Sequence, residues 1–177
     1  MMKFFKLENK DDVRHVIVLG NNNSGKKSFL LFYKDGEYAD DRNIPPFNNI
    51  SYRMVNGLAH PTFISFDLNN PNDNLIPSLV YKHKKVDAVL ILVDLSSSTA
   101  KADLAFYTKF AKIHYKDVNA LLVGTKADKQ HQENDITNLI VTSAKTGTGF
   151  AEFHDQLLDS LSLKHTPSVN LKTSSKN

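Results

Sequence analysis

Residues 13–26 read VRHVIVLGNNNSGK, and they are the most informative part of the chain about its architecture. The β-branched and apolar residues at 13–19 are typical of a buried strand that ends at Gly20. The polar run that follows has the spacing GxxxxGK of a phosphate loop, and Lys26 opens a stretch with apolar residues at helical spacing. In such a loop the glycines allow a tight turn, the backbone N–H groups point at an anion, and the lysine adds positive charge. The pattern predicts a strand, a phosphate-binding loop and a helix in succession.

The rest of the chain alternates between short apolar stretches and helical patterns. Strands are predicted at 50–55, 62–66, 86–93, 118–123 and 136–141, and helices at 26–34, 75–84, 97–115 and 147–163. Asn56-Gly57 is a strong signal for a two-residue turn, so the first two of these strands are predicted to form a hairpin. The alternation predicts an α/β fold with a mostly parallel sheet, one antiparallel hairpin and helices on both faces. Ligands of such sheets bind beyond the carboxyl ends of the strands.

Composition and charge limit the class of protein. A chain of 177 residues with 41% hydrophobic and 23% charged residues is ordinary for one soluble globular domain. It has no cysteine and residue 2 is Met, so we expect no disulfide, no thiolate metal site and no lipid anchor. The net charge of +3 is too small to predict a nucleic-acid partner, and no apolar run approaches the roughly 18 residues of a membrane span. We predict a cytoplasmic protein with one domain at 1–163 and a polar, disordered tail at 164–177.

Two short polar motifs follow the predicted strands at 118–123 and 136–141, namely TKAD at 125–128 and SAK at 143–145. A carboxylate at a strand end, such as that of the aspartate in TKAD, can accept two hydrogen bonds from N1 and N2 of guanine. Adenine offers no such pair of donors and would leave the site unpaired. The backbone N–H of Ala144 can meet guanine O6, and the lysine stems of both motifs can cover the faces of the base. Each motif alone is weak, but their order and their places at strand ends predict a guanine site.

With these motifs in this order, the chain resembles the Ras superfamily of small GTPases over nearly its whole length. Asp67 follows the predicted strand at 62–66, where the family has an aspartate that holds Mg²⁺ through water. Residues 34–37 and 44–48 look closest to the Arf-like branch, whereas residues 142–153 look more like the Rab and Ras branches. The resemblance implies the P-loop small GTPase fold with a six-stranded sheet, and binding of GTP or GDP.

The nucleotide-binding residues that the motifs and the resemblance imply belong to the phosphate loop and to the two base-reading motifs. They are Gly20, Asn23, Ser24, Gly25, Lys26, Lys27, Ser28, Thr125, Lys126, Asp128, Ser143, Ala144 and Lys145, and the metal-binding candidates are Asp67 and Ser28.

The departures from the family pattern fall on the residues that switch and hydrolyse. The first-switch threonine aligns near Pro45 or Pro46, and the glycine of the family's D-x-x-G is Asn70. The glutamine that orients the attacking water aligns with Pro71, which has no polar side chain. We therefore predict no catalytic residue, and hydrolysis that is very slow or absent.

Lys27 stands where the phosphate-loop motif requires a Ser or Thr whose hydroxyl ligates Mg²⁺. An ammonium group cannot ligate a metal, and Ser28 is rotated by about 100° around the helix from that position. Either Lys27 points away and the metal lacks one ligand, or its charge takes the place of the metal beside the phosphates. The sequence leaves open whether Mg²⁺ binds.

Three functions remain compatible with the sequence. The favoured one is a guanine-nucleotide-binding module with impaired or absent hydrolysis, whose altered switch loops contact a protein partner. The second is a slow GTPase with atypical switches that depends on a partner protein. The third is a structural scaffold with an empty pocket. The intact Lys26 and Asp128 argue against the third, and the altered switch residues argue against the second.

Overall fold

The computed structural model describes residues 13–38, 50–53, 60–65, 86–129 and 136–161. Several predictions fall outside these ranges and stay predictions. They concern the Asn56-Gly57 turn, Asp67, Asn70 and Pro71, Pro45 and Pro46, the helix at 75–84 and the tail at 164–177.

The described residues form six strands and three helices. The strands are β1 (Val13–Leu19), β2 (Ile50–Arg53), β3 (His60–Ser65), β4 (Ala88–Asp94), β5 (Asn119–Thr125) and β6 (Ile140–Val141), and the helices are α1 (Lys26–Asp35), α2 (Ala100–His114) and α3 (Phe150–Ser160).

The described strands lie in the order β2-β3-β1-β4-β5-β6. β1 pairs in parallel with β3 and with β4, β4 with β5, and β5 with β6, whereas β2 and β3 are antiparallel. The predicted α/β fold with a parallel sheet is confirmed. Residues 54–59, which connect β2 to β3, lie outside the described ranges, so the hairpin turn stays a prediction. The carboxyl ends of β1, β4 and β5 meet at one edge of the sheet.

Alternating side chains of the central strands separate two hydrophobic clusters, one on each face of the sheet. In β1, Val16 and Val18 face a cluster with residues of α1 and α3, whereas Ile17 and Leu19 face a cluster with residues of α2. β4 divides its residues between the two clusters in the same way. Helices therefore cover both faces of the sheet. Within the described part of the chain, no helix combines the length and the apolar character needed to cross a membrane.

Several predicted boundaries are wrong. β6 contains only Ile140–Val141, because Asn138 has a φ of 63°, which interrupts an extended strand. The last helix begins at Phe150 and not at residue 147, because Gly147 and Gly149 both have a φ of 77°. β5 also extends further than predicted, to Thr125, so the first residue of the TKAD motif belongs to the strand.

Candidate functional site

The phosphate loop folds into a tight turn between β1 and α1. The N–H of Ser24 donates to the carbonyl oxygen of Asn21 at 2.9 Å. Gly20 has a φ of 151°, and a Cβ atom there would collide with the carbonyl oxygen of Leu92 and the hydroxyl of Ser24. Gly25 is left-handed, with a φ of 81°, and caps the start of α1. Both glycines are therefore required by the conformation of the loop.

The ammonium of Lys26 is held inside this loop. The residue is 2% exposed. Its Nζ donates to the carbonyl oxygens of Gly20 at 2.8 Å and of Asn21 at 2.7 Å. These two bonds hold the ammonium against the backbone of the loop. The first turn of α1 contains no acidic residue. Backbone N–H groups, a helix N-terminus and an oriented ammonium together suit the binding of phosphate.

The TKAD motif is bonded directly to the phosphate loop. The hydroxyl of Thr125 donates to the carbonyl oxygen of Ser24 at 2.7 Å. The Nζ of Lys126 donates to the carbonyl oxygen of Asn23 at 2.6 Å and to a carboxylate oxygen of Asp94 at 2.7 Å. The two parts of the predicted site, which lie about a hundred residues apart in sequence, are thus one structural unit.

Asp94 is a member of this unit that sequence reasoning missed. Its other carboxylate oxygen accepts from the N–H of Ser96 at 2.9 Å and from the Ser96 hydroxyl at 2.6 Å. Burial alone would raise the pKa of the Asp94 carboxyl, but the hydrogen bonds from Lys126 and Ser96 outweigh burial and hold the pKa below its ordinary value. Lys126 has a φ of 59°, which is uncommon for a residue other than glycine. The sequence feature that could have identified Asp94 is the presence of an aspartate at the end of a buried strand.

The second base-reading motif is joined to the first. The hydroxyl of Ser143 donates to Oδ1 of Asp128 at 2.6 Å, and the N–H of Ala127 donates to the carbonyl oxygen of Thr142 at 3.0 Å. The hydrogen bond from Ser143 is the main reason why the pKa of Asp128 lies below its ordinary value. The motifs thus present an ionised, oriented carboxylate at the carboxyl ends of β5 and β6, where it can accept N–H groups of a ligand.

Many of the predicted site residues line one cavity. Its walls contain the predicted residues Gly25, Ser28, Thr125, Lys126, Asp128, Ala144 and Lys145. Six other predicted residues in the described ranges do not line the cavity: Gly20, Asn23, Ser24, Lys26, Lys27 and Ser143. Lys26 and Ser143 support the site from buried positions.

Four residues of the cavity wall were not predicted, and they are Phe29, Tyr38, Lys129 and Thr142. Tyr38 is the most informative of them, because its side chain is 47% exposed although it is large and aromatic. An aromatic ring at the mouth of a cavity with lysines and a carboxylate suits a flat, polar heterocycle. The sequence feature that could have identified Tyr38 is an aromatic residue just beyond Gly36, where α1 ends.

At the position where the phosphate-loop motif places a magnesium ligand, this chain has Lys27. Residues 13–38, 50–53, 60–65, 86–129 and 136–161 include no group of three or more His, Asp or Glu residues that could hold a metal ion. Lys27, in the first turn of α1, has no lone pair to offer in its charged form. Ser28 is buried on the wall of the cavity. Asp67, the other candidate ligand, lies outside the described ranges.

No protein-family model matches this chain, and no curated protein matches it. The class of protein therefore rests on the motifs and on the geometry of the site.

Proposed function

We propose that this chain is a small GTPase-like domain that binds a guanine nucleotide, hydrolyses it very slowly or not at all, and acts as an interaction module. The observation that carries the proposal is the direct bonding of the TKAD motif to the phosphate loop. Thr125 contacts Ser24 and Lys126 contacts Asn23, around one cavity at the carboxyl ends of the strands.

The finer fold is part of the proposal. The strand order β2-β3-β1-β4-β5-β6, with β2 antiparallel to β3, is compatible with the P-loop small GTPase fold, its six-stranded sheet and its hairpin. In that fold the cavity lies at the edge where parallel strands end and α1 begins, which is the expected place for a nucleotide.

Each part of the nucleotide has a complementary part of the site. The phosphates are bound by the loop N–H groups, the start of α1 and the oriented ammonium of Lys26. The guanine N1 and N2 groups donate to Asp128, whose ionised form is stabilised by Ser143. The ring of Tyr38 contacts the base at the mouth of the cavity. Adenine has no such pair of N–H donors, so it would leave the carboxylate of Asp128 without hydrogen bonds from the base.

The groups that promote hydrolysis in small GTPases are replaced in this chain. Phosphoryl transfer depends on positioning and on charge neutralisation, and small GTPases without a partner turn over at only about 10⁻⁴ s⁻¹. Pro71 and Asn70 replace the water-orienting and γ-phosphate-contacting groups that the family uses. We therefore propose that the bound nucleotide stabilises the domain in the cytoplasm, and that the altered switch loops form a surface for a protein partner.

The test is direct identification of the ligand. The protein, purified without added nucleotide, is denatured and the released nucleotide is identified by chromatography; GDP, GTP and ATP are then titrated by calorimetry. We expect stoichiometric binding of the guanine nucleotides and at least about tenfold weaker binding of ATP. Asp128→Ala should abolish the preference for guanine, whereas Asp155→Ala, on the exposed side of α3, should not change it.

A second readout uses the absence of tryptophan from the chain. Tyr38→Trp places a single tryptophan at the mouth of the cavity, and its fluorescence should change on addition of GDP and not of ATP. No co-purified nucleotide, no heat and no change of fluorescence would mean that the domain is a scaffold that does not use its pocket.

A further inference from the structure

Two large apolar side chains of α2 face outward. Phe106 is 43% exposed and Ile113 is 55% exposed. The helix has a separate apolar side, which packs on the sheet through residues that include Tyr107 and Ala111. Seven residues are close to two turns of an α-helix, so Phe106 and Ile113 lie on the same side of α2. Packing against the sheet therefore does not account for this second apolar side.

The exposed apolar residues belong to an outer stripe that runs along α2. Its four members are all exposed, and they are Ala102, Phe106, Lys109 and Ile113. Successive members are separated by steps of four, three and four residues. This alternation is the spacing by which one helix packs along another in a coiled coil. The outer stripe therefore has the spacing that packs against a second helix.

Positive charge surrounds the outer stripe. The exposed lysines of α2 and of the turn that follows it are Lys101, Lys109, Lys112 and Lys116. Within the described part of the chain, none of them forms an ion pair. Asp103, the one acidic residue of α2, accepts hydrogen bonds from Thr99 and Asn21. The complement of this side of α2 is therefore an apolar stripe flanked by carboxylates.

Two other occupants suit this surface less well. A second copy of this chain, bound through the outer stripe of both copies, would bring Lys109 against Lys109, because this lysine lies midway between Phe106 and Ile113. A lipid surface binds helices through a broad apolar face. The broad apolar face of α2 is packed against the sheet.

We propose that α2 docks an acidic amphipathic helix of a partner protein, independently of nucleotide binding. Apolar side chains of the partner helix pack against Phe106 and Ile113, and flanking Asp or Glu residues pair with Lys109 and Lys112. The apolar contacts supply most of the affinity, whereas the charges select an acidic partner and raise the rate of association.

The probe is a synthetic, fluorophore-labelled helical peptide. It has leucines at alternating steps of three and four residues and glutamates on both sides of them. Fluorescence anisotropy with the full chain measures the affinity, and amide shifts in the NMR spectrum of the isotope-labelled protein should be confined to α2 and the turn after it. Lysine in place of the glutamates should weaken binding at least about tenfold.

Two variants test the apolar and the charged contacts separately. Phe106→Ser should weaken binding of the glutamate peptide at least about tenfold, and Lys112→Glu at least about fivefold. Circular dichroism of each variant shows whether the fold is retained, and Ile113→Ser takes the place of Phe106→Ser should the latter unfold.

Each variant has a matched control. Val141→Ser removes an apolar side chain that is equally exposed, at 44%, but lies in β6. Lys34→Glu reverses a charge in the last turn of α1, as Lys112→Glu does in the last turn of α2. Both controls should stay within about twofold of the unchanged protein.

Several results would overturn the proposal. They are no binding of the glutamate peptide, equal binding of the two peptides, or equal effects of the variants and their controls. Binding to vesicles of phosphatidylserine and phosphatidylcholine that Phe106→Ser abolishes, without binding of the peptide, would assign the outer stripe to a lipid surface. Self-association in sedimentation that the same variant abolishes would assign it to a second copy. None of these measurements requires the nucleotide site, so they leave the proposed function untouched.

Discussion

The carboxylate of Asp94 lies at the carboxyl end of β4, where it meets the ammonium of Lys126 at 2.7 Å. Both side chains are partly shielded from water, with exposed fractions of 15% for Asp94 and 23% for Lys126. The same ammonium bonds the carbonyl oxygen of Asn23, so one cation links β4, the loop after β5 and the phosphate loop. A charged pair in this place holds the lysine stem in a fixed position beside the cavity.

We expect Asp94→Asn to destabilise the protein by about 1 kcal/mol at pH 7, because a charge-assisted hydrogen bond is replaced by a neutral one. The pKa of Asp94 is lowered in the folded state. Its stabilising effect is therefore present above the unfolded pKa and is lost as the pH falls through the folded pKa. The difference between the two proteins should shrink in acid, which urea unfolding at neutral pH and at about pH 3 would measure.

Asp155→Asn, on the exposed side of α3, is the control and should change stability little at either pH. A deficit of Asp94→Asn that stays constant into acid would show that the carboxylate charge is not what stabilises the pair. The same variant also reports on function, since a loosened Lys126 should weaken GDP binding together with stability.

Two of the three described helices begin at a left-handed glycine, which is unusual for this cap position. Gly25 precedes α1 and Gly149 precedes α3. A Cβ atom on Gly149 would collide with the carbonyl oxygen of Val141, in the last strand of the sheet. The start of α3 is therefore set by close packing of its backbone against β6.

We expect Gly149→Ala to destabilise the protein by about 3 kcal/mol or more, since the left-handed conformation and the backbone collision both oppose the methyl group. Gly36→Ala is the matched control, because Gly36 has a similar φ of 74° and open space around its Cα. It should lose only about 1–2 kcal/mol. Chemical denaturation of both variants gives the comparison, and equal losses would contradict a role for the contact with Val141.

Sequence patterns predicted the central elements well, because apolar runs such as residues 16–19 of β1 are buried on both faces of the sheet and have few alternatives. They failed at β6, where the left-handed Asn138 could not be read from composition. In the site, the motifs located the loop and the carboxylate of Asp128. They could not reveal Asp94 or Tyr38, whose importance comes from contacts between elements far apart in the chain.

The first and last helices of the described chain pack together on one face of the sheet through an aromatic cluster. The ring of Phe29 lies 4.9 Å from that of Phe150 and 4.8 Å from that of Phe153, measured between centroids. Tyr33 extends the cluster, with its ring 5.0 Å from Phe153 in an edge-to-face arrangement. Because α1 starts at the phosphate loop and α3 follows the second base-reading motif, this cluster fixes the distance between the two ends of the site.

The polar end of the cluster is a hydrogen bond of 2.7 Å between the Tyr33 hydroxyl and Nδ1 of His154. Burial raises the pKa of Tyr33 to about 12. A raised folded pKa means that the stabilising effect of the neutral phenol is fully present below the unfolded pKa of about 10 and is lost as the pH rises through the folded value. The whole domain should therefore lose stability between about pH 10 and pH 12.

Tyr33→Phe isolates this contribution from the other groups that titrate in alkali. At pH 8 the variant should be less stable than the unchanged protein by about 1 kcal/mol, through loss of the hydrogen bond to His154. By about pH 11.5 the unchanged protein should have lost about 2 kcal/mol that the variant does not lose, so that the order of stability reverses. Urea midpoints of both proteins at the two pH values test this, and parallel alkaline losses would show that the Tyr33 hydroxyl ionises freely in the folded domain.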